Sequence, residues 1–276
     1  MKDNPLVSIV TISFNQEKFI EKTIRSVINQ NYNNIEYIIV DAGSTDSSRE
    51  KILKYKNNID KIIFEKDNGP ADGLNKGFKI AKGDIFYFLN SDDLLLENSL
   101  TKVVHFLNNN RDVDVVYGNS WIINESGERI RNFYSDKFNL KMAKYGASIL
   151  AQQSTFFKKE TYLNTCGFNV KNRISWDGEL FLNFGLNNAK FCRFDEFLSA
   201  FRIHKISYTA QDNNKKLNKE EIKKIFLKIE NKNFNFLNEI KYFIYHMLRK
   251  ILNPRDTFER IIKGSINKSY KKLIYK

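Results

Sequence analysis

The apolar run Ile85–Leu89 stops abruptly at Asn90, Ser91, Asp92 and Asp93, within DIFYFLNSDD at residues 84–93. Five mainly apolar and aromatic residues bounded by polar ones predict a buried strand. Two more such runs precede it. Residues 6–14, LVSIVTISF, are β-branched and apolar, as a central parallel strand requires, and Ile35–Val40 breaks into Asp41-Ala42-Gly43-Ser44-Thr45-Asp46. Ile62–Phe64 predicts a third short strand upstream of the 84–93 stretch. Helical patterns fill the gaps. One follows Asn15, read as its cap, with Phe19, Ile20, Ile24, Val27 and Ile28 on one face. A second is capped by Asp46; a third starts at the Gly69-Pro70 break and stops at Gly83; a fourth carries Leu100, Val103, Val104 and Leu107. Strand and helix alternating at short spacing give an α/β fold with a mostly parallel central sheet flanked by helices. Carboxylates that end its strands then lie on the rim where open α/β sheets bind ligands.

The pattern loosens after residue 112. Val113–Tyr117 reads as a strand, and Trp121–Ile123 and Arg129–Phe133 flank the hairpin signal Asn124-Glu125-Ser126-Gly127. Residues 152–168 read as a strand entering a helix, Trp176 opens an amphipathic helix, and two short strands, Lys190–Phe194 and Phe197–Ile203, end at His204. From about Asn213 the composition shifts to Lys, Asn and Ile, with helical periodicity over 219–230 and 237–252 and a further helix over 256–276. The chain thus divides into a unit at 1–212 and a basic helical extension at 213–276. That extension holds 17 Lys/Arg against 6 Asp/Glu, so nearly all of the net +13 belongs to it, and an anionic partner is to be sought there. A hydrophobic content of 42% with 14% aromatics excludes wholesale disorder, and no run is long enough to span a bilayer. The start, MKDNPLVSIV, does not read as a secretory signal, and Cys166 and Cys192 have neither metal nor disulfide spacing. A reducing, cytoplasmic setting is expected.

No G-x-G-x-x-G follows the first strand, and neither G-x-x-x-x-G-K-[ST] nor G-x-S-x-G occurs. A nicotinamide dehydrogenase, a P-loop NTPase and a serine hydrolase are disfavoured. What remains are carboxylates at strand ends, Asp41, Asp92 and Asp93, with Asp177 later in the chain. Hard oxygen ligands suit Mg²⁺ or Mn²⁺ that also holds a phosphate. The same residues also suit turns and helix caps.

The segments SIVTISFNQEKFIEKTIRSVINQ, VDAGSTDSS, DNGPADGLNKGFKIAKGD and FLNSDD, in this order and spacing, resemble glycosyltransferase family 2 with its GT-A fold. QQSTFFKKE, GFN, WDGELFL and FRIHKIS extend the likeness to a subgroup of bacterial polysaccharide-building transferases, over about residues 6–209. The resemblance implies an inverting transfer from a nucleotide sugar, a UDP-sugar first, to a hydroxyl of a glycan or lipid-linked acceptor, with Mn²⁺ or Mg²⁺ as cofactor. It implies that Asp41 binds uracil or ribose, and that the backbone around Thr11 and Ser13 lines the nucleotide pocket. Asp92 matches the final acid of the family's D-x-D motif and would ligate the metal. Asn90 replaces the first acid, bringing an amide for the ribose or donor sugar but no charge. Ser91 and Asp93 join the donor side; Asp93 would orient Asp92 or bind sugar hydroxyls, and a helix cap is its other reading. Asp72 and Asn75 fall in the nucleotide-side loop, with Asp72 equally placed to cap its helix. Asp177 matches the catalytic base, or caps its own helix; Trp176 before it offers an apolar platform and a means to raise that carboxylate's pKa. His204 would complete the metal shell, or Arg202 and His204 together would hold the diphosphate, while a lone His also suits a purely structural place.

The basic, aromatic extension has two readings: a peripheral contact with the anionic inner face of a membrane, or helices packed on the main unit with a solvated Lys-rich face. Two other functions are considered. A sugar nucleotidylyltransferase would need a Gly-rich, cationic first loop where Ser13-Phe14-Asn15-Gln16 stands, and a nucleic-acid-binding protein is disfavoured by the near-neutral, acid-bearing main unit.

Overall fold

The computed structural model describes residues 3–205, 207 and 214–266. The boundary expected at 212/213 and the last residues of the helix expected over 256–276, namely 267–276, lie outside the described residues. Four strands, β1 (Val7–Ser13), β2 (Ile35–Asp41), β3 (Lys61–Phe64) and β4 (Ile85–Asn90), run parallel in the order β3-β2-β1-β4. The crossovers are α1 (Ile20–Ile28), α2 (Ser48–Lys54) and α3 (Pro70–Ile80). After β1 the chain adds strands on one side, then returns to place β4 on the other, so the connection order reverses between β1 and β4. Open α/β sheets bind ligands at such a reversal, outside the carboxyl ends of the strands. The ends are in one row: Ile12 pairs with Asn90, and Ser13 with Asp41.

The run character of these strands follows from burial on both faces. Ile9, Tyr37, Ile39 and Tyr87 join one cluster with α1 and with α4 (Ser99–Asn109), whereas Val10, Ile38, Phe86 and Phe88 join a second with α3 and α7 (Trp176–Leu186). Beyond β4 the sheet becomes mixed. β8 (Thr155–Lys158) is antiparallel to β4, β6 (Val115–Ile123) is antiparallel to β8, and β9 (Phe191–Arg202) is parallel to β6. β7 (Arg129–Phe133) pairs with β6, and the two-residue β5 (Leu94–Leu95) pairs with β9. Short helices α5 (Leu140–Ala143) and α6 (Lys159–Leu163) complete this half.

Four local expectations are corrected. The two strands expected over 113–123 are one, β6, and those expected over 190–203 are one, β9; irregular register between Tyr117 and Ser120 had broken the alternation. Asn15 does not cap α1, whose first turn starts after Phe19; at φ 51° it turns the chain and accepts from the Thr45 backbone N–H at 2.8 Å. Gly83 does not end α3 as a left-handed cap. A Cβ there would meet the Ser8 backbone N at 2.6 Å and the Leu6 carbonyl at 2.8 Å, so the residue is small because β1 passes beside it.

The basic extension forms α8 (Asn214–Glu230), α9 (Phe236–Leu252) and α10 (Pro254–Lys263). Ile225 and Phe226 of α8 are buried, and Tyr145 donates to Asn238 of α9 at 2.8 Å. Among the described residues no helix is long and apolar enough to cross a membrane.

Candidate active site

At the carboxyl ends of β1 and β4 the chain gathers polar groups that its core does not consume. Ser13 is 3% exposed, yet its Oγ has no partner among the described residues, and the same holds for the buried Oδ1 of Asn90 and Nη2 of Arg202. Buried polar atoms are almost always paired. Three unpaired ones around one strand-end row mark a place built for something else to bind.

Asp92 projects from the turn after β4, and its Oδ2 lies 3.0 Å from Nε2 of His204, which is 4% exposed just past β9. Phe19 backs this arrangement, its ring 4.9 Å from the imidazole and 5.0 Å from the Arg202 guanidinium carbon. Among the described residues no three His, Cys, Asp or Glu side chains converge as a closed metal cage. A hard divalent cation bound together with a diphosphate needs only one or two protein ligands, taking the rest from phosphate and water. The Asp92–His204 pair, with the unspent Asn90 amide oxygen at the same strand end, fits that shared kind of site.

Asp93, next door, is different from what its sequence suggests. It is fully buried, its Oδ1 accepts from the Arg202 backbone N–H at 2.9 Å, and it caps no helix. Burial, reinforced by the neighbouring Asp92 charge, pushes its pKa well above the usual carboxylate range. Asp93 is therefore corrected from a donor contact to a lock between the acidic turn and β9. Arg202 is held beside it. Its side chain is wholly buried, donating from Nε to the Asp92 carbonyl at 2.8 Å and from Nη1 to the carbonyls of Asn124 and Glu125 at 3.0 and 3.1 Å. Nε and Nη1 thereby tie β9 to the acidic turn and to the 124–125 hairpin, while Nη2 has no partner among the described residues. Ser91 is also held in place, its N–H on Ile12 and its carbonyl, with that of Asp93, taken by Thr23 Oγ1 at 2.9 and 2.8 Å.

Asp41 ends β2 fully buried. Its Oδ1 accepts from Gly43 N, Ser44 N and Arg49 Nε, and its Oδ2 from Ser44 Oγ. Burial alone would raise its pKa, but these hydrogen bonds outweigh it and hold the carboxyl below its ordinary value. Gly43, at φ 98°, lets the loop fold over the carboxylate. Thr11 is 0% exposed, and its Oγ1 accepts from Tyr37 at 3.2 Å, so its side chain is spent beneath the strand end. Asp72 lies in the first turn of α3 and accepts from the Asn68 N–H at 2.9 Å, while the N-cap is Gly69. Asn75 is spent on Phe168, giving to its carbonyl at 2.8 Å and accepting from its N–H at 2.9 Å, so it braces the 165–168 loop and is not free to meet a donor.

Asp177 stands in the first turn of α7, partly exposed, its Oδ1 accepting from its neighbour Gly178 N–H at 2.8 Å. Burial raises its pKa. Trp176 packs 5.6 Å from Phe88 and 5.5 Å from Phe168, which sets the start of α7 beside the end of β4. Three participants were not singled out from sequence. Glu179, 2% exposed, accepts from Asn169, Asn172 and Lys228, tying the loop before α7 to α8. Thr23 broke the apolar face of α1, a signal in hindsight. Arg173 is an exposed cation beside the Gly69 turn, where a Cβ would sit 3.0 Å from its Nη1; no periodicity marks it.

Residues 8–164, more than half of the chain, match the sequence model of Glycosyl transferase family 2. An uncharacterized glycosyltransferase of Methanocaldococcus jannaschii, MJ1057, is 30% identical over 208 residues, 73% of this chain and 72% of that protein. The Escherichia coli UDP-Glc:alpha-D-GlcNAc-diphosphoundecaprenol beta-1,3-glucosyltransferase WfgD is 35% identical over 45% of this chain and 49% of its own length. The Bacillus subtilis putative teichuronic acid biosynthesis glycosyltransferase TuaG is 37% identical over 37% and 42%. This chain thus spans about half the length of the latter two. Among solved structures, S. aureus TarS in complex with UDP-GlcNAc superposes with a TM-score of 0.67 at 18% identity, covering 93% of this chain and 74% of that one. The Pyrobaculum calidifontis mannosyltransferase PcManGT, in complex with GDP-Man and Mn2+, gives 0.64 at 16%, covering 99% and 79%. At that identity the likeness is one of fold, and the fold is GT-A. The chain belongs to glycosyltransferase family 2.

Proposed function

We propose that this protein is an inverting glycosyltransferase that moves a sugar from a nucleotide sugar, a UDP-sugar first, to a hydroxyl of a glycan or lipid-linked acceptor in surface polysaccharide synthesis. The observation that carries the reading is the Asp92–His204 pair, 3.0 Å apart on a rim with unspent Ser13 and Asn90 oxygens. Two of the three donors printed for the similar proteins, UDP-Glc and UDP-GlcNAc, carry uridine, and the third is GDP-Man; the uridine pair supports a UDP-sugar first. The family match supports transfer over the nucleotidylyltransferase and nucleic-acid alternatives.

In this reading the nucleotide lies over the carboxyl ends of β1 and β2, with Asp41 shaping the 41–46 loop that faces it. Asp92 and His204 would hold Mn²⁺ or Mg²⁺, which when bound offsets charge on the departing diphosphate. Asp177 takes the proton of the acceptor hydroxyl as that oxygen bonds to the anomeric carbon and the bond to the diphosphate oxygen breaks. One in-line displacement inverts the centre. Partial burial suits Asp177 to this task, because a base with a raised pKa is the stronger proton acceptor. Trp176, held by Phe88 and Phe168, offers a ring face beside it. The division into a transferase unit at 1–212 and an extension at 213–276 that meets the anionic inner face of a membrane belongs to the same proposal.

Incubation with a panel of nucleotide sugars and Mn²⁺ or Mg²⁺, reading released nucleoside diphosphate, tests it. Turnover of a UDP-sugar is expected; failure of every nucleotide sugar to bind or to be cleaved overturns the reading.

A further inference from the structure

Helices α9 and α10 are inside out. A helix on a globular surface ordinarily buries its apolar stripe and wets its polar one. On α9, Phe236, Ile240, Phe243, Met247 and Ile251 recur at i, i+4, i+7, i+11 and i+15 and are 41–77% exposed. The opposite side carries Arg249, 8% exposed, which meets Asp136 at 2.5 Å and Asp256 at 3.1 Å. On α10, Asp256 is 2% exposed and takes Arg131 at 3.2 Å and Arg260 at 2.6 Å, while Phe258, Ile261 and Ile262 are 55–75% exposed. Asn253, between the helices, donates to Asp136 at 2.8 Å and to the Tyr134 carbonyl at 2.9 Å. The polar groups are spent on anchoring the helix pair to the sheet unit, and its apolar groups are left facing outward. Exposed apolar surface on this scale marks an interaction site.

Charge selects the occupant. Lys241 and Lys250 flank the α9 stripe on opposite sides, about 120° and about 60° from its centre at 3.6 residues per turn. On the Lys241 side a cavity of about 370 Å³ is walled by Lys141, Lys144, Lys232 and Lys241 against the single carboxylate of Glu230. An apolar stripe edged by cations is the form of a helix that lies in a lipid interface. A second copy placed on this face would set these lysines against one another, whereas anionic headgroups answer them.

We infer that the outward face of α9 and α10 docks on the anionic surface of a bilayer, the helices lying in its plane with Phe243 and Ile251 among the acyl chains. The inference rests on the peripheral contact proposed above and names its surface. The buried Arg131–Asp256–Arg249–Asp136 chain makes the docking rigid. Ile266, just beyond α10, packs on the small cluster that contains Ile203, next to His204. Binding through this face thereby fixes how the rim meets the leaflet.

The test is co-sedimentation of the full chain with vesicles of phosphatidylcholine alone or mixed with phosphatidylglycerol, together with calorimetric titration of UDP. Phe243→Ser/Ile251→Ser changes exposed side chains only, and unaltered thermal melting verifies the fold. Wild type should bind the mixed vesicles, and the double variant should bind them about tenfold or more weakly. Lys241→Gln/Lys250→Gln should lose the salt-sensitive part of binding. Equal binding by wild type and the double variant, or no binding by wild type, overturns the inference. So does a solution dimer that the double variant turns into monomer with vesicle binding unchanged. UDP binding without vesicle binding removes the docking inference alone; vesicle binding without UDP binding removes the transferase reading and leaves the docking.

Discussion

Nε2 of His204 and Oδ2 of Asp92 lie 3.0 Å apart although 112 residues separate them in the chain. Two sheet features bring them together: β4 ends at Asn90, and β9, pairing with β5, returns beside the turn that follows it. The pair is offered as the protein's share of a cation site. His204→Ala or Asp92→Ala should therefore weaken the Mn²⁺-dependent part of UDP binding by at least 10–100-fold, a range typical even for outer partners of a metal ligand. Calorimetric titration of UDP with and without Mn²⁺ measures it. An unchanged Mn²⁺ response in both variants sinks the assignment.

Asp177→Asn should lower kcat by on the order of 10²–10⁴ while leaving UDP affinity near wild type, since the side chain serves the acceptor and not the nucleotide. Because burial raises its pKa, Asp177 is an active base only above that raised value. The wild-type rate should fall on acidification at a pH above the ~3.9 of a free Asp, and the variant should lack this limb. Near-normal turnover by the variant removes the role.

The parallel half of the sheet was legible because β1, β2 and β4 are buried on both faces, so each reads as an unbroken apolar run. The mixed half was less so: bulges between Tyr117 and Ser120 disrupt the alternation, and one long strand looked like two. Residue type found the acidic turn but not the duties within it. Asp92 and Asp93 are adjacent and chemically identical, yet one meets His204 and the other is sealed against β9. Only the path of β9, a contact more than a hundred residues away in sequence, separates them. The inverted faces of α9 and α10 were hidden for a related reason: periodicity shows that a helix has two faces, not which one turns inward.

Arg202→Met should destabilise the fold by at least about 3 kcal/mol, because three part-buried carbonyls lose their donor at about 1–3 kcal/mol each. The carbonyls of Asp92, Asn124 and Glu125 all lose the guanidinium at once. Arg202→Lys should rescue little of this, because one ammonium cannot span the three carbonyls. Urea titration decides; a loss below about 1 kcal/mol is incompatible with this tie.

Asp93 gives stability a pH dependence of known sign. Burial keeps its proton on to higher pH in the native state than in the unfolded chain, where an Asp titrates near ~3.9. Stability is then greatest below the unfolded value and declines as pH rises toward the native pKa. Asp93→Asn cannot ionise and lacks the decline. Urea midpoints across that range should show the variant gaining on wild type as pH rises; parallel curves refute the account.

Gly83→Ala tests whether this glycine is there for space or for conformation. A Cβ would come within 2.6 Å of the Ser8 backbone N, 2.5 Å of Ser8 Oγ and 2.8 Å of the Leu6 carbonyl. Neither segment can yield cheaply. Ser8 Oγ already accepts from the Gly83 N–H at 2.7 Å and donates to Glu36 at 2.5 Å, and the Leu6 carbonyl accepts from Asp84 and Ile85. Overpacking against backbone costs about 1–3 kcal/mol, which for a chain of this size lowers Tm by roughly 2–4 °C per kcal/mol. A helix-ending glycine of ordinary geometry would give no such loss, since its φ is not left-handed and alanine could adopt it. An unchanged Tm would therefore mean that β1 can retreat from α3, and with it the row of strand ends that Ser13 and Asn90 close.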